Sequence, residues 1–169
     1  MNIDRTDFIS AMRNVANSVT VVTTNGPAGQ HGATVSAFCS VSADPPTALV
    51  CLNSKSRIAD LVTKNGKFNI NILAEGTRHY AERFSGMHDH SVPDRFQDIE
   101  AGNNEMPELP GSTVLTCDID QCIVSGSHHI IIGKVRAVVN GENHPLTYLD
   151  GTYYQVMPLQ QKVQRVADG

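Results

Sequence analysis

Turn residues rather than helices separate most of the strand-like runs in this chain, which argues against a doubly wound parallel sheet. The β-branched run Val19-Thr20-Val21-Val22-Thr23-Thr24 stops at Asn25-Gly26-Pro27-Ala28-Gly29. Residues 32–42 read as the next extended piece, paired with the first as a hairpin. After Pro45-Pro46 comes the wholly apolar Ala48-Leu49-Val50-Cys51-Leu52, and in residues 68–73 Phe68, Ile70 and Ile72 alternate onto one face. Residues 114–124 and 129–139 form two more runs around Ser125-Gly126-Ser127. A last strand through Leu146 and Tyr148 is followed, after Asp150-Gly151, by residues 153–157. Parallel neighbours need long, usually helical crossovers. Six or seven strands joined by turns therefore predict a mainly β fold, an antiparallel barrel or sandwich with a few helices.

Three helices are expected. In residues 4–17, Phe8, Ala11, Met12, Val15 and Ala16 recur at helical spacing behind Asp4 or Thr6 as N-cap. Residues 54–65 place Ile58, Leu61 and Val62 on one face and stop at Gly66. Residues 77–84 make a third, short candidate. Residues 85–112, punctuated by Gly86, Pro93, Gly102, Pro107, Pro110 and Gly111, are irregular, and long loops of this kind in a compact domain tend to be functional or mobile.

The chain has 169 residues and no visible linker, so residues 1–169 are expected to form one domain. A net charge of −4 offers no basic footprint for nucleic acid. No apolar run approaches the ~20 residues that span a bilayer. Met1-Asn2-Ile3-Asp4-Arg5 lacks the apolar core of a signal peptide, so no membrane association and a cytoplasmic location are expected. The four cysteines, Cys39, Cys51, Cys117 and Cys122, form no Cys-x-x-Cys pair and read as buried free thiols. His88-Asp89-His90 has no further ligands near it in sequence, so no metal site is expected.

Motifs for phosphoryl transfer, zinc hydrolysis, a nucleophile elbow and Rossmann dinucleotide binding are all missing. An enzyme built on this chain would leave the hard chemistry to a bound organic cofactor. Four clusters could build such a site. In 32–42, Thr34, Ser36, Ser40 and Ser42 alternate, which reads either as a solvated strand face or as a hydrogen-bonding wall for a planar ligand. In 51–57, Cys51, Leu52 and Asn53 leave a strand and Ser54-Lys55-Ser56-Arg57 enters a helix. That is either an anion pocket or a helix start capped by Asn53 or Ser54. Arg83-Phe84-Ser85-Gly86 is a phosphate clamp with a stacking ring, or a core Phe beside a solvated Arg. Gly126-Ser127-His128-His129 puts histidine at a turn, as a ligand or merely exposed.

The ordered set of these stretches resembles a known family. It comprises Phe8-x-x-Ala11-Met12, residues 19–24, Thr34 to Ser42 with Pro45-Pro46, Val50-Cys51-Leu52-Asn53-x-x-Ser56 and Asn65-Gly66-Lys67-Phe68. Further on come Arg83-Phe84-Ser85-Gly86, Gly126-x-His128, Gly133-x-Val135 and Pro145-Leu146-x-Tyr148. The chain resembles the short-chain flavin reductases, the reductase components of two-component monooxygenases of the 4-hydroxyphenylacetate 3-monooxygenase type. The resemblance implies a split, antiparallel Greek-key β-barrel of the FMN-binding type, working as a homodimer. It implies reduction of FMN or FAD by NADH, or by NADPH, and delivery of reduced flavin to a separate oxygenase component. By position, Thr34, Val35, Ser36, Ala37, Ser40, Val41 and Ser42 would line the flavin ring and ribityl chain. Cys51, Leu52 and Asn53 would follow through backbone groups. Ser56 and Arg57, with Arg83 and Phe84, would meet the phosphate. His128 would be the catalytic histidine facing the nicotinamide, with Tyr148 and Tyr153 in the tail that closes that side. Ser127 stands where the family commonly has Asp or Thr, and a second histidine, His129, follows. Two other readings remain: a non-enzymatic flavin carrier on the same scaffold, and a different barrel enzyme such as a pyridoxamine-phosphate-type oxidase.

Overall fold

Helix α1 (Arg5–Met12) begins where the Asp4 carboxylate accepts the Thr6 amide at 3.1 Å. This computed structural model describes residues 3–87, 89, 94–99, 105–141 and 144–159. The helix is shorter than the apolar spacing predicts. Asn14 and Asn17 turn their amides back onto the carbonyls of Ser10 (3.2 Å) and Val15 (3.1 Å), competing with helical backbone bonding. None of the eight helical residues is buried.

Strands β1 (Asn17–Ser18), β2 (Thr20–Thr24), β3 (His31–Val35), β4 (Phe38–Ala43) and β5 (Pro46–Asn53) follow. Helix α2 (Arg57–Asn65) runs from the Ser56 cap to Gly66, which takes the left-handed conformation (φ 72°) and donates to the Val62 carbonyl at 3.0 Å. Next come β6 (Lys67–Ile72), a 3-10 turn (Glu75–Thr77) and α3 (Arg78–Phe84). The long hairpin β7 (Thr113–Ser125) and β8 (His128–Val139), then β9 (Thr147–Leu149) and β10 (Thr152–Tyr154), complete the order. No helix among the described residues is long and apolar enough to cross a membrane.

The mainly β, antiparallel expectation holds, but the barrel does not. Seven strands form one open sheet in the order β3-β2-β6-β7-β8-β5-β4, and β1, β9 and β10 form a separate three-stranded sheet. The two edge strands of the large sheet, β3 and β4, are consecutive in sequence yet do not pair. At the break between them the Phe38 amide donates to the Ser36 carbonyl (3.1 Å) and the Cys51 amide to the Ala37 carbonyl (2.9 Å). Those bonds turn the chain away from β3 and lay β4 along β5, so the sheet does not close on itself.

Two apolar clusters hold the sheet. Ile58, Ala59 and Val62 of α2 pack on Val22, Val50, Leu52, Phe68, Ile70 and Ile131. Tyr80, Ala81 and Phe84 of α3 pack with Val21, Leu73, Leu109 and Leu146. Strand β6 is buried on both faces, which its alternation did not announce. Phe68 and Ile70 face the first cluster, while the equally buried Asn69 and Asn71 face the segment around Pro107–Leu109.

Candidate functional site

The break between β3 and β4 opens a cavity of about 280 Å³. Thr34, Val35, Ser36 and Ala37 form one wall. Cys51, Leu52 and Asn53 at the end of β5, Ser56 and Ile58 at the start of α2, and His128 form the rest. Three of the four sequence clusters thus meet here from distant parts of the chain. Strand pairing explains how: Asn53 lies opposite His128 in the β5–β8 register. Ser54 ties the same corner, its amide and hydroxyl both donating to the Ser127 carbonyl at 3.0 and 3.1 Å.

The polar groups at this corner are held by local bonds. Ser127 Oγ lies 3.0 Å from His128 Nδ1, which fixes the ring and leaves Nε2 for a ligand. Ser56 Oγ donates to the Asn53 carbonyl (2.6 Å) and accepts the Ala59 amide (3.4 Å), while Asn53 Oδ1 accepts the Lys55 amide (3.0 Å). The helix cap is therefore Ser56, and not Asn53 or Ser54. Thr34 turns its hydroxyl onto the Ala81 carbonyl of α3 at 2.7 Å. His129 points to the opposite side of β8, across from Leu52, with Nδ1 buried and unbonded among the described residues.

The alternating hydroxyls of 32–42 do not share one face, because the chain breaks at residues 36 and 37. Ser40, Val41 and Ser42 lie outside the cavity on the exposed edge strand β4, with a register shift between Ser40 and Ser42. Ser42 Oγ is engaged by Asp44, donating to its carbonyl (2.9 Å) and accepting its amide (3.1 Å). Arg83 and Phe84 are also elsewhere. Arg83 Nη1 donates to the Gln97 carbonyl at 3.0 Å. Phe84 is a core ring: it meets Phe96 edge-on at 5.1 Å and presses on Gly32, where a Cβ would fall 2.6 Å from the ring.

Tyr148 and Tyr153 line an adjoining cavity of about 280 Å³ that shares Thr34, Val35 and Ser36 with the first. Their rings stand edge-to-face at 5.4 Å, and the Arg78 guanidinium sits 4.9 Å above Tyr153. Burial, with Glu82 and Tyr148 nearby, pushes the Tyr153 hydroxyl up from its usual pKa.

Arg57 opens instead into a third cavity, of about 370 Å³, with His31, Asp94 and Arg95. Sequence reasoning passed over these residues, since Asp94-Arg95-Phe96 sits in an aperiodic stretch. Arg95 grips Asp89 through two bonds (2.8 and 2.6 Å) and donates Nη1 to the carbonyls of Gly32 (3.0 Å) and Phe84 (3.2 Å). It pins the 94–99 segment to β3 and α3. Burial, then the Arg95 and Arg57 charges, lower the His31 imidazole to about 4.

All four cysteines are free. They are not uniformly buried, as the strand pattern suggested: Cys117 is in the core, with its thiol pushed up to about 12 by burial, while Cys39 and Cys122 are exposed. No group of three or more His, Cys, Asp or Glu among the described residues is placed to hold a metal. His88 and His90 lie outside the described residues.

The first cavity suits a planar heterocycle edged with donors and acceptors. Its walls at Ser36, Ala37 and Ser56 are small, and β3, as an edge strand, has no strand beside it on one side among the described residues. Comparison with known proteins points the same way. Residues 12–157 match the flavin reductase like domain. The chain is 34% identical over 160 residues to the FMN reductase (NADH) RutF of Yersinia enterocolitica, spanning 92% of this chain and 86% of that protein. The flavin reductase PheA2 superposes with a TM-score of 0.83 at 27% identity, over 92% of this chain and 100% of its own. The NADH:FAD oxidoreductase SgcE6 of Streptomyces globisporus, solved with NAD and FAD fragments, gives a TM-score of 0.80 at 25% identity, over 94% and 98% of the two chains. The chain belongs to the flavin reductase like domain family.

Proposed function

We propose that this chain, acting as one domain, is an NAD(P)H:flavin oxidoreductase that reduces FMN or FAD and supplies reduced flavin to a separate monooxygenase component. The observation that carries this reading is the cavity at the β3–β4 break, which gathers residues 34–37, 51–53, 56 and 128 in a chain of this family. Bound there, a flavin would supply the acceptor for the two electrons of a reduced nicotinamide.

The chain's own part is to bind and orient. Residues 34–37 offer small side chains and edge-strand backbone. Cys51, Leu52 and Asn53 offer the end of a strand whose side chains alternate between core and cavity. The first turn of α2, capped by Ser56, presents amide N–H groups toward an anion. His128, its Nδ1 beside Ser127, orients the donor or moves a proton at Nε2. Tyr148 and Tyr153 exclude water from the donor side. Holding two reactants in register removes much of the entropic barrier to a bimolecular step, so no side-chain nucleophile is required.

The homodimer belongs to the same proposal. Register places Cys39, Leu49, Cys51, Ile123, Ile130 and Ile132 on one face of the β4-β5-β8-β7 half of the sheet. All are half-buried or exposed, and α2 covers the other face. A second copy laid on that face would bury it and flank the cavity through Cys51.

The test is oxidation of NADH and of NADPH against FMN, FAD and riboflavin in turn. Saturable, flavin-dependent oxidation is expected. Tightly retained flavin with no oxidation of either donor would replace this reading with that of a flavin carrier.

A further inference from the structure

Arg78 stands where the helix it opens does not favour it. It is the first residue of α3, at the positive end of the helix dipole, and no acidic residue occupies that turn. Its Nε donates to Glu82 Oε1 at 2.8 Å, an i,i+4 pair with the cation on the N-terminal side, the weaker of the two orders. The side chains are 60% and 31% exposed, so the pair contributes little to stability. A residue that breaks a local rule is commonly compensated elsewhere. Here the compensation is the Tyr153 ring, whose centroid lies 4.9 Å from the guanidinium carbon.

That contact ties together two elements that share a cavity. The segments leading into α3 and into the β9–β10 hairpin have a common root. Ala74 bridges Pro145, the Leu146 amide donates to the Leu73 carbonyl (2.8 Å), and the Glu75 amide donates to the His144 carbonyl (2.8 Å). Farther along, Ser85 and Met87, just past α3, and Tyr148 and Tyr153 of the hairpin line the cavity that adjoins the β3–β4 break. The Arg78–Tyr153 stack is a second tie between the same two elements. Tyr153 carries it across the hairpin, because it lies opposite Tyr148 in register and the two rings meet edge-on at 5.4 Å. Glu82, one turn along α3, holds Nε and so aims the guanidinium.

We infer that Arg78 is a positioning residue for the hydride donor: through Tyr153 and Tyr148 it holds the hairpin wall of this cavity against α3, and so sets the width of the space beside the flavin. The inference rests on the flavin reductase reading, which puts the donor on that side. Arg78 does not itself line the cavity, so it acts only through the tyrosines. Its loss therefore weighs on donor binding, while the flavin keeps the walls at Ala37, Cys51, Leu52, Asn53 and Ser56, which the tyrosine cavity does not share.

Two variants of the full chain test this. Arg78→Met keeps an unbranched stem and removes the charge, and Arg78→Lys keeps the charge. The first readout is a spectrophotometric titration of tyrosinate. In Arg78→Met the Tyr153 phenolate loses its neighbouring cation while Glu82 and Tyr148 still oppose ionisation, so one of the chain's four tyrosines should titrate at higher pH than in the wild type. Arg78→Lys should leave it in place. The second readout is steady-state kinetics. In Arg78→Met the KM for NADH should rise about two- to fivefold, the factor that an exposed cation–π contact is worth, with turnover and the KM for flavin little changed. Arg78→Lys should restore most of that loss. An unmoved tyrosinate titration, an unchanged KM for NADH, or an equal rise in the constants for NADH and flavin would overturn it, the last by showing general loosening. If wild-type protein oxidises no donor with any flavin, the reductase reading fails and the donor role with it, while the titration still reports whether Arg78 holds Tyr153.

Discussion

Asn71 and Asn69 sit two residues apart on β6, on the same face, both fully buried, and they should respond very differently to truncation. Asn71 is bonded on both ends of its amide. Nδ2 donates to the Val21 carbonyl (2.9 Å) and to Thr23 Oγ1 (3.2 Å), and Oδ1 accepts the Leu109 amide (2.9 Å). Asn71→Ala strands the Leu109 N–H in the core and takes a donor from Val21. A buried group left without a partner costs about 1–3 kcal/mol, so a loss of about 3 kcal/mol is expected with the small cavity added. Asn69 makes one long bond, from Nδ2 to the Pro107 carbonyl (3.2 Å), and that carbonyl keeps the shorter bond from Thr23 Oγ1 (2.7 Å). Its Oδ1 has no partner among the described residues. Asn69→Ala therefore removes an unsatisfied acceptor as well as a weak bond, for a net loss of about 1 kcal/mol or less. Urea unfolding at fixed protein concentration reads the difference. With a denaturant slope of about 1–3 kcal/mol per molar, the two midpoints should differ by about 1 M, with Asn71→Ala the lower. Equal midpoints, or Asn69→Ala the less stable, would refute the bonding argument.

Three further outcomes are expected. Because the folded-state pKa of His31 is lowered to about 4, the unfolded chain takes up its proton first as acid is added. Stability is therefore lost from about pH 6.5 down to about 4 and not further below, and His31→Gln should flatten that part of a Tm-against-pH curve. Parallel curves for the two proteins would count against it. Ser56→Ala removes the α2 cap and should lower stability by about 1 kcal/mol in chemical denaturation and weaken flavin binding in a fluorescence titration. Stability unchanged would mean another group caps the helix. His128→Ala should raise the Michaelis constant for NADH more than it lowers turnover; steady-state constants unchanged in both would remove His128 from the site.

Local structure was legible wherever one residue type settles it. Gly66 ends α2 by capping chemistry, β-branching marks β2, and Gly126 marks the turn of the long hairpin, whereas the start of α2 is capped by Ser56 and not by the Asn53 or Ser54 that the run of polar residues offered. Sheet closure was not legible, because alternation says which face a side chain takes and nothing about which edge a strand joins. The same blindness hid the burial of Asn69 and Asn71, whose cover comes from Pro107–Leu109, far along the chain. At the candidate site the even-numbered hydroxyls looked like one polar wall, yet Thr34 bonds the Ala81 carbonyl and Ser42 bonds Asp44. What shapes the cavity is the failure of residues 36 and 37 to continue the strand. An interrupted strand puts backbone beside small side chains at an edge that no further strand covers, and that suits a heterocycle better than hydroxyls committed to their own backbone. On that argument, substitutions that lengthen side chains at Ser36 or Ala37 should harm ligand binding more than removal of the Thr34 or Ser42 hydroxyl, which act on stability first.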